Sequence, residues 1–190
     1  MKIGILNSGG YNINSIRFAL NRLSCYHVSI VTNENEFNEC DKIIIPGVGH
    51  AKNAMNLLHK QDLINAIKST KKPVLGICLG IQIMFNFSEE GNTKCLGIFD
   101  ENVIRLINNI QAPQMGWNKL INGKNADKFV YFANSYYVPI CKYTESYVDY
   151  NGIKMSAMVK KNNFFGCQFH PEKSGKIGEE ILKNFLFVEN

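Results

Sequence analysis

The sequence predicts an α/β fold: a mostly parallel central sheet flanked by helices, with an antiparallel β extension in the second half. Three observations carry this. Short apolar runs alternate with helix-period segments through the first half. After residue 90 the segments turn short and mostly rich in β-branched and aromatic residues. From residue 164 the strand-then-helix pattern returns. The chain has 190 residues, within the roughly 100–200 of one domain, so residues 1–190 are expected to form one unit. Such a chain buries about 70% of its unfolded surface, enough for a core without staples. At 45% apolar and 19% charged residues, it has the composition of a globular protein and not of a disordered or fibrous one. Its 21 basic and 16 acidic residues leave +5, too small a surplus for a nucleic-acid footprint.

The elements follow in order. Residues 2–6 form a short apolar strand ending at Gly9-Gly10. Ile13, Ile16, Leu20 and Leu23 recur at helical spacing across 12–23, with Arg17 and Arg22 on the other side. Residues 28–31 and 41–45 are the next strands, the latter stopped by Pro46-Gly47. Residues 51–58 and 62–67 read as helices, 73–77 as a buried strand and 79–87 as a helix. Repeated strand–helix units imply a parallel sheet covered on both faces. Residues 97–99, 103–106, 129–132, 147–150 and 153–159 read as antiparallel strands, with a turn at Asn151-Gly152. Residues 164–169 close the sheet, and 176–187 form a helix with Ile177, Ile181, Leu182 and Phe185 apolar. This last pair is expected to pack against the first half.

Six cysteines would suit a disulfide framework in a small secreted protein. This chain is larger than such scaffolds. Its opening, Met1 to Gly10, lacks the apolar stretch and small-residue site of a signal peptide. No run approaches the roughly 20 apolar residues of a membrane helix. A cytoplasmic protein with reduced thiols is therefore expected, without membrane or nucleic-acid partners.

Lys72 to Gln82 carries the sharpest chemistry. An apolar strand enters Gly76-Ile77-Cys78-Leu79-Gly80 and then a helix. This is the strand-to-helix turn of a nucleophile elbow with Cys in place of Ser. The turn is tight enough that side chains at Gly76 and Gly80 would strike backbone. It lifts Cys78 to the carboxyl edge of the sheet, where ligands bind in open α/β folds. The following helix N-terminus favours a thiolate there. The plain alternative is a buried Cys in a glycine-rich turn. A thiol nucleophile needs a base, and His170 follows a strand in Phe169-His170-Pro171-Glu172. Pro171 biases His170 toward extended backbone, and residues two apart then point the same way. Glu172 can so fix the tautomer of the imidazole, as a triad requires. A His before Pro is commonly just a strand end; His and Glu beside an elbow Cys are not. After the apolar strand 43–45, Pro46-Gly47-Val48-Gly49-His50 offers backbone N–H groups. These can form half of an oxyanion hole, with the Leu79 N–H as the other half. His50 reads as a surface or helix-start residue.

Gly76-Ile77-Cys78-Leu79-Gly80-Ile81-Gln82, Pro46-Gly47-Val48-Gly49 and Phe169 to Ser174 together resemble the motifs of the class I, triad-type glutamine amidotransferases. Met115-Gly116-Trp117-Asn118 and Ser135-Tyr136 extend the likeness over essentially the whole chain. The nearest branch is the glutaminase subunits that form a heterodimer with a (β/α)8-barrel synthase. There the ammonia is used to make imidazole glycerol phosphate and aminoimidazole carboxamide ribotide in histidine biosynthesis. The resemblance implies a flavodoxin-like sheet, L-glutamine as substrate, and no cofactor or metal. It implies that Cys78 forms a glutamyl thioester, that His170 and Glu172 are base and orienter, and that Gly47, Val48, Gly49 and Leu79 supply oxyanion donors. Gln82 and Glu90, on or near the helix after the elbow, would hold the amino-acid end of glutamine. The backbone of Ser135 and Tyr136 would close over it. Asn12, Trp117 and Lys173 would face the partner.

Three positions depart from the family pattern. Gln114 and Asn134 stand where His is usual, and Tyr11 where the first loop usually has a second Gly. None touches the triad. Two other readings stay open at this point: a paralogous glutaminase supplying ammonia for amidation of a surface-polysaccharide sugar, and a cysteine peptidase-like hydrolase on the same fold. Cys25, Cys40, Cys95, Cys141 and Cys167 have no assigned chemistry and read as small core residues.

Overall fold

A computed structural model describes residues 1–9, 12–24, 27–106 and 111–188. Gly10, Tyr11 and Cys25, singled out above, lie outside these residues.

The first half alternates as its apolar runs predict. Strand β1 (Ile3–Leu6) leads to helix α1 (Ile13–Arg22), β2 (Val28–Val31), α2 (Glu34–Asn38), β3 (Lys42–Ile45), α3 (Ala51–Lys60), α4 (Leu63–Ser69), β4 (Val74–Ile77) and α5 (Leu79–Gln82). Then come β5 (Phe87–Ser88), β6 (Thr93–Lys94), β7 (Asn102–Arg105), β8 (Gln114–Lys119), β9 (Phe129–Asn134), β10 (Tyr136–Tyr137), β11 (Thr144–Tyr150), β12 (Ile153–Lys161) and β13 (Phe164–Cys167). A 3-10 turn (Pro171–Lys173) and helix α6 (Gly175–Leu186) end the described chain.

The main sheet runs β11-β12-β13-β4-β3-β1-β2. Strands β2, β1, β3, β4 and β13 are parallel, while β12 and β11 add an antiparallel edge. Strand alternation sorts the core into two layers. Ile43, Ile45, Val74 and Leu6 face a cluster with Leu79, Ile81, Phe85 and Phe99. Ile3, Ile5, Ile44, Leu75 and Ile77 face the other, with Phe132, Phe169, Leu182 and Phe185. Both faces being covered is why these strands read as unbroken apolar runs. Two smaller sheets, β10-β7-β5-β6 and β8-β9, lie apart from the main one.

The structure differs from the sequence expectation in the middle of the chain. Residues 97–99 are not a strand. Gly97 N–H donates to Phe85 O and Ile98 N–H to Met84 O, so the segment ties down the chain leaving α5. The helix expected over 79–87 ends at Gln82. Beyond it Met84 and Phe85 bond back only three residues, and the tightened turn releases Phe87–Ser88 into β5. Not all pairing outside the main sheet is antiparallel either: β5 and β7 run parallel.

Candidate active site

Three strand ends converge on Cys78. Strand β4 delivers it at the carboxyl edge, between β3 and β13. Its N–H donates to Cys167 O at 2.8 Å, the last residue of β13. Its backbone holds φ 51° and ψ −107°, an uncommon conformation for a residue with a side chain. Glycine makes the turn possible. A Cβ on Gly80 would lie 1.9 Å from Ile45 O, and one on Gly76 2.7 Å from Gly80 C. Loop residue Gly47 is equally confined, with its Cβ position 2.3 Å from Leu79 N. The Pro46–His50 loop thus lies directly on the elbow.

Strand β13 carries the chain on to His170, whose side chain is 2% exposed. Its Nδ1 lies 2.7 Å from Glu172 Oε1, leaving Nε2 free to serve Cys78, a neighbour close enough to raise the His170 pKa. The route to Glu172 is not the extended one expected. Pro171 opens a 3-10 turn, which swings the carboxylate under the ring. Burial alone would hold the imidazole neutral. Hydrogen bonds to Cys78 and Glu172, and their negative charges, outweigh it, and the His170 pKa is pushed up to about 10. The ring is therefore held protonated beside Cys78.

Asn12, expected to face the partner, turns its side chain inward. Only 9% exposed, its amide Nδ2 donates to the same Glu172 Oε1. It closes a chain from Asn12 to Glu172, His170 and Cys78. The backbone of His170 is pinned as well. Its N–H donates to Tyr131 O at 2.9 Å. Its carbonyl accepts from Ser174 Oγ at 2.7 Å, and that hydroxyl accepts from Tyr131 N–H at 3.0 Å.

Among the described residues, the N–H groups of Gly47, Val48, Gly49 and Leu79 make no hydrogen bond. All four remain available beside the elbow, and Gly49 holds φ 151°. His50 caps α3, its ring accepting from Lys52 N–H. Gln82 is buried in α5, and its Nε2 donates to Tyr136 O at 2.8 Å and to Gln168 Oε1 at 3.0 Å. Glu90 sits beyond the helix, in the turn between β5 and β6. Its Oε2 accepts from Ala51 N–H at 2.7 Å and caps α3. Ser135 O accepts from Leu106 N–H, and Tyr136 O also accepts from Asn134 Nδ2 at 3.1 Å. These carbonyls are committed inward. Gln114 and Asn134 are cross-strand partners, both buried, and each has a side-chain oxygen without a partner.

Trp117 is 56% exposed and Lys173 is on the surface. Both meet the ring of Tyr131: Trp117 edge-on at 6.0 Å, Lys173 with its ammonium 5.9 Å from the centroid. Sequence reasoning passed over Gln168, whose Nε2 lies 3.7 Å from Cys78 Sγ. The signal was present, since Gln168 and His170 are two apart on one strand path and share a face.

Cys40, Cys95 and Cys167 are buried and Cys141 half-buried, all as free thiols. Burial, helped by the Glu90 charge, pushes the Cys95 thiol up to about 12, and burial holds Cys167 well above its usual range. Neither is a nucleophile at neutral pH. Among the described residues no His, Cys, Asp and Glu group could hold a metal, and no helix is long and apolar enough to cross a membrane.

The arrangement is that of a thiol amidohydrolase, and known proteins agree. Residues 5–188 match the family model "Glutamine amidotransferase class-I". The chain is 45% identical to "Imidazole glycerol phosphate synthase subunit HisH" of Bacteroides fragilis, covering 98% of this chain and 99% of that one. It is 46% identical to the HisH subunit of Buchnera aphidicola subsp. Schizaphis graminum, covering 99% and 100%. A solved structure titled "Crystal structure of glutamine amidotransferase" superposes with a TM-score of 0.78 at 16% identity, covering 98% and 97%. That superposition speaks for the fold, and the sequence matches for the lineage: the chain belongs to the class I glutamine amidotransferase family.

Proposed function

We propose that this protein is the glutaminase subunit of an imidazole glycerol phosphate synthase, working in a heterodimer with a (β/α)8-barrel synthase in histidine biosynthesis. The juxtaposition of Cys78, His170 and Glu172 carries the reading, and the relatives named HisH direct it to this pathway. Cys78 Sγ attacks the side-chain carbonyl of L-glutamine, forming a C–S bond as the carbonyl electrons move onto oxygen. N–H groups of Leu79 and the Gly47–Gly49 loop receive that oxyanion. Losing one such donor costs about 10²–10³ in rate, so a loop that turns its N–H away leaves the enzyme nearly silent. The imidazolium of His170 protonates the departing nitrogen, and ammonia leaves as the C–N bond breaks. His170 then takes a proton from water, which attacks the thioester and releases glutamate and the thiolate. Glu172 holds the ring for both transfers.

Glutamine's amino-acid end lies against Gln82, Glu90 and the Ser135–Tyr136 backbone in this reading. The partner docks on the face of Trp117 and Lys173, where an exposed aromatic can serve as anchor. The domain spans residues 1–190, and a soluble cytoplasmic complex is the setting that fits reduced thiols. Glutamine hydrolysis and ammonia transfer are to be measured with the barrel synthase present. Cys78→Ala and His170→Ala are each expected to lose activity by at least about 10³-fold; retained turnover in the Cys78 variant would sink the proposal.

A further inference from the structure

A buried line of amides ends at the nucleophile. Tyr136 O accepts from Gln82 Nε2 at 2.8 Å, and Gln82 Nε2 also donates to Gln168 Oε1 at 3.0 Å. Gln168 Nε2 lies 3.7 Å from Cys78 Sγ. Gln168 is fully buried and Gln82 is 4% exposed.

The chemistry of the groups fixes the direction of this line. A peptide carbonyl can only accept, so the group Gln82 turns toward Tyr136 is its NH2. That same NH2 faces Gln168, which must therefore present its oxygen. The remaining NH2 of Gln168 is left for the sulfur. One end is anchored by a carbonyl that Asn134 Nδ2 also shares, at 3.1 Å. The anchor lies on β10 and the relay passes through α5 and the β13 path, so three separate elements set the position of one N–H.

From this geometry we propose that Gln168 is a positioning residue for the thiolate: it aims an N–H at Cys78 Sγ and keeps the Gln82 amide in a single orientation. The proposal rests on the glutaminase reading for its kinetic arm. Ala133 O, 3.7 Å from the same sulfur, can only accept, so the Gln168 N–H is the hydrogen-bond donor that favours the thiolate both before attack and as leaving group in thioester hydrolysis. Hydrogen bonds to charged groups are the strong ones, so losing this one is expected to cost about tenfold or more.

The test uses the full chain and two variants. Gln168→Leu removes donor and acceptor together; Gln168→Glu keeps an acceptor for Gln82 but no amide N–H for the sulfur. The first readout is alkylation of Cys78 by iodoacetamide at pH 7.5, followed by mass spectrometry, which needs no substrate. Both variants are expected to react about tenfold more slowly than the parent, with melting temperatures that show a folded chain. The second is steady-state glutaminase activity with the barrel synthase. Gln168→Leu is expected to lower kcat about tenfold and raise KM severalfold; Gln168→Glu is expected to lower kcat at least as much and leave KM within about twofold. Alkylation and kcat within twofold of the parent in Gln168→Leu would overturn the proposal, as would failure of both variants to fold, since the line would then be a structural one only. If the parent itself hydrolyses no glutamine, the glutaminase reading falls while alkylation still decides the role of Gln168.

Discussion

Cys78 keeps a backbone geometry that costs about 1–3 kcal/mol in a residue with a side chain. What holds it is local: Cys167 O on its N–H and the tight seating of Gly80 on Ile45 O. The electrostatics then depend on His170. Replacing Glu172 by Gln removes the charge that helps hold the His170 pKa near 10, while burial, which lowers it, stays. The titration of His170, followed by NMR of labelled histidine, is therefore expected to move down from about 10. The sign carries to stability. In the parent, the His170 contribution is complete below about pH 6.5 and is lost as pH rises through about 10; the Gln variant is expected to show a flatter melting temperature over that window. Asn12 belongs at this scale too. Nothing near it in sequence shows that its amide reaches a carboxylate 160 residues away.

Helix α5 is four residues long because its purpose is the elbow and not the span. Gly80→Ala at its second position puts a methyl against the Ile45 carbonyl. With backbone on both sides nothing can yield cheaply. The variant is expected to lose at least about 4 kcal/mol, read as a fall in the urea midpoint, or not to fold. Elements of this kind are legible in sequence. An apolar run into Gly-x-Cys-x-Gly prescribes both strand and turn, and the same logic located β3 with its Pro-Gly loop, and β13 with His170. What the sequence concealed were elements whose reason lies elsewhere. Strands β5 and β6 are two residues each and exist only because β7 pairs with β5 and β5 in turn with β6. Residues 97–99 look like a strand by composition but bond to the turn after α5. Gln82 reads as a solvated or ligand-binding helix residue until Gln168, 86 positions on, takes its amide.

At the scale of the molecule, the main sheet gathers the site along one carboxyl edge while its two apolar layers lie behind it. The β8-β9 ribbon stands in front. Its exposed positions include Met115, Trp117 and Phe129, from 56% to 67% exposed, a contiguous reason for a partner to bind. Trp117→Ala is expected to weaken barrel-synthase binding by about 30-fold or more, the size of an anchor residue, while leaving the melting temperature unchanged; titration calorimetry measures it. A core Trp would give the opposite pair of results.

The ribbon has one further property. Tyr131 offers its ring to Trp117 and Lys173 on the outside and its peptide groups to His170 and Ser174 on the inside. The outer surface and the catalytic base are therefore separated by the thickness of a single residue. Whatever settles on that surface leans on the same peptide that holds the His170 backbone. A partner docked there would meet, one residue in, the strand that also holds the catalytic base.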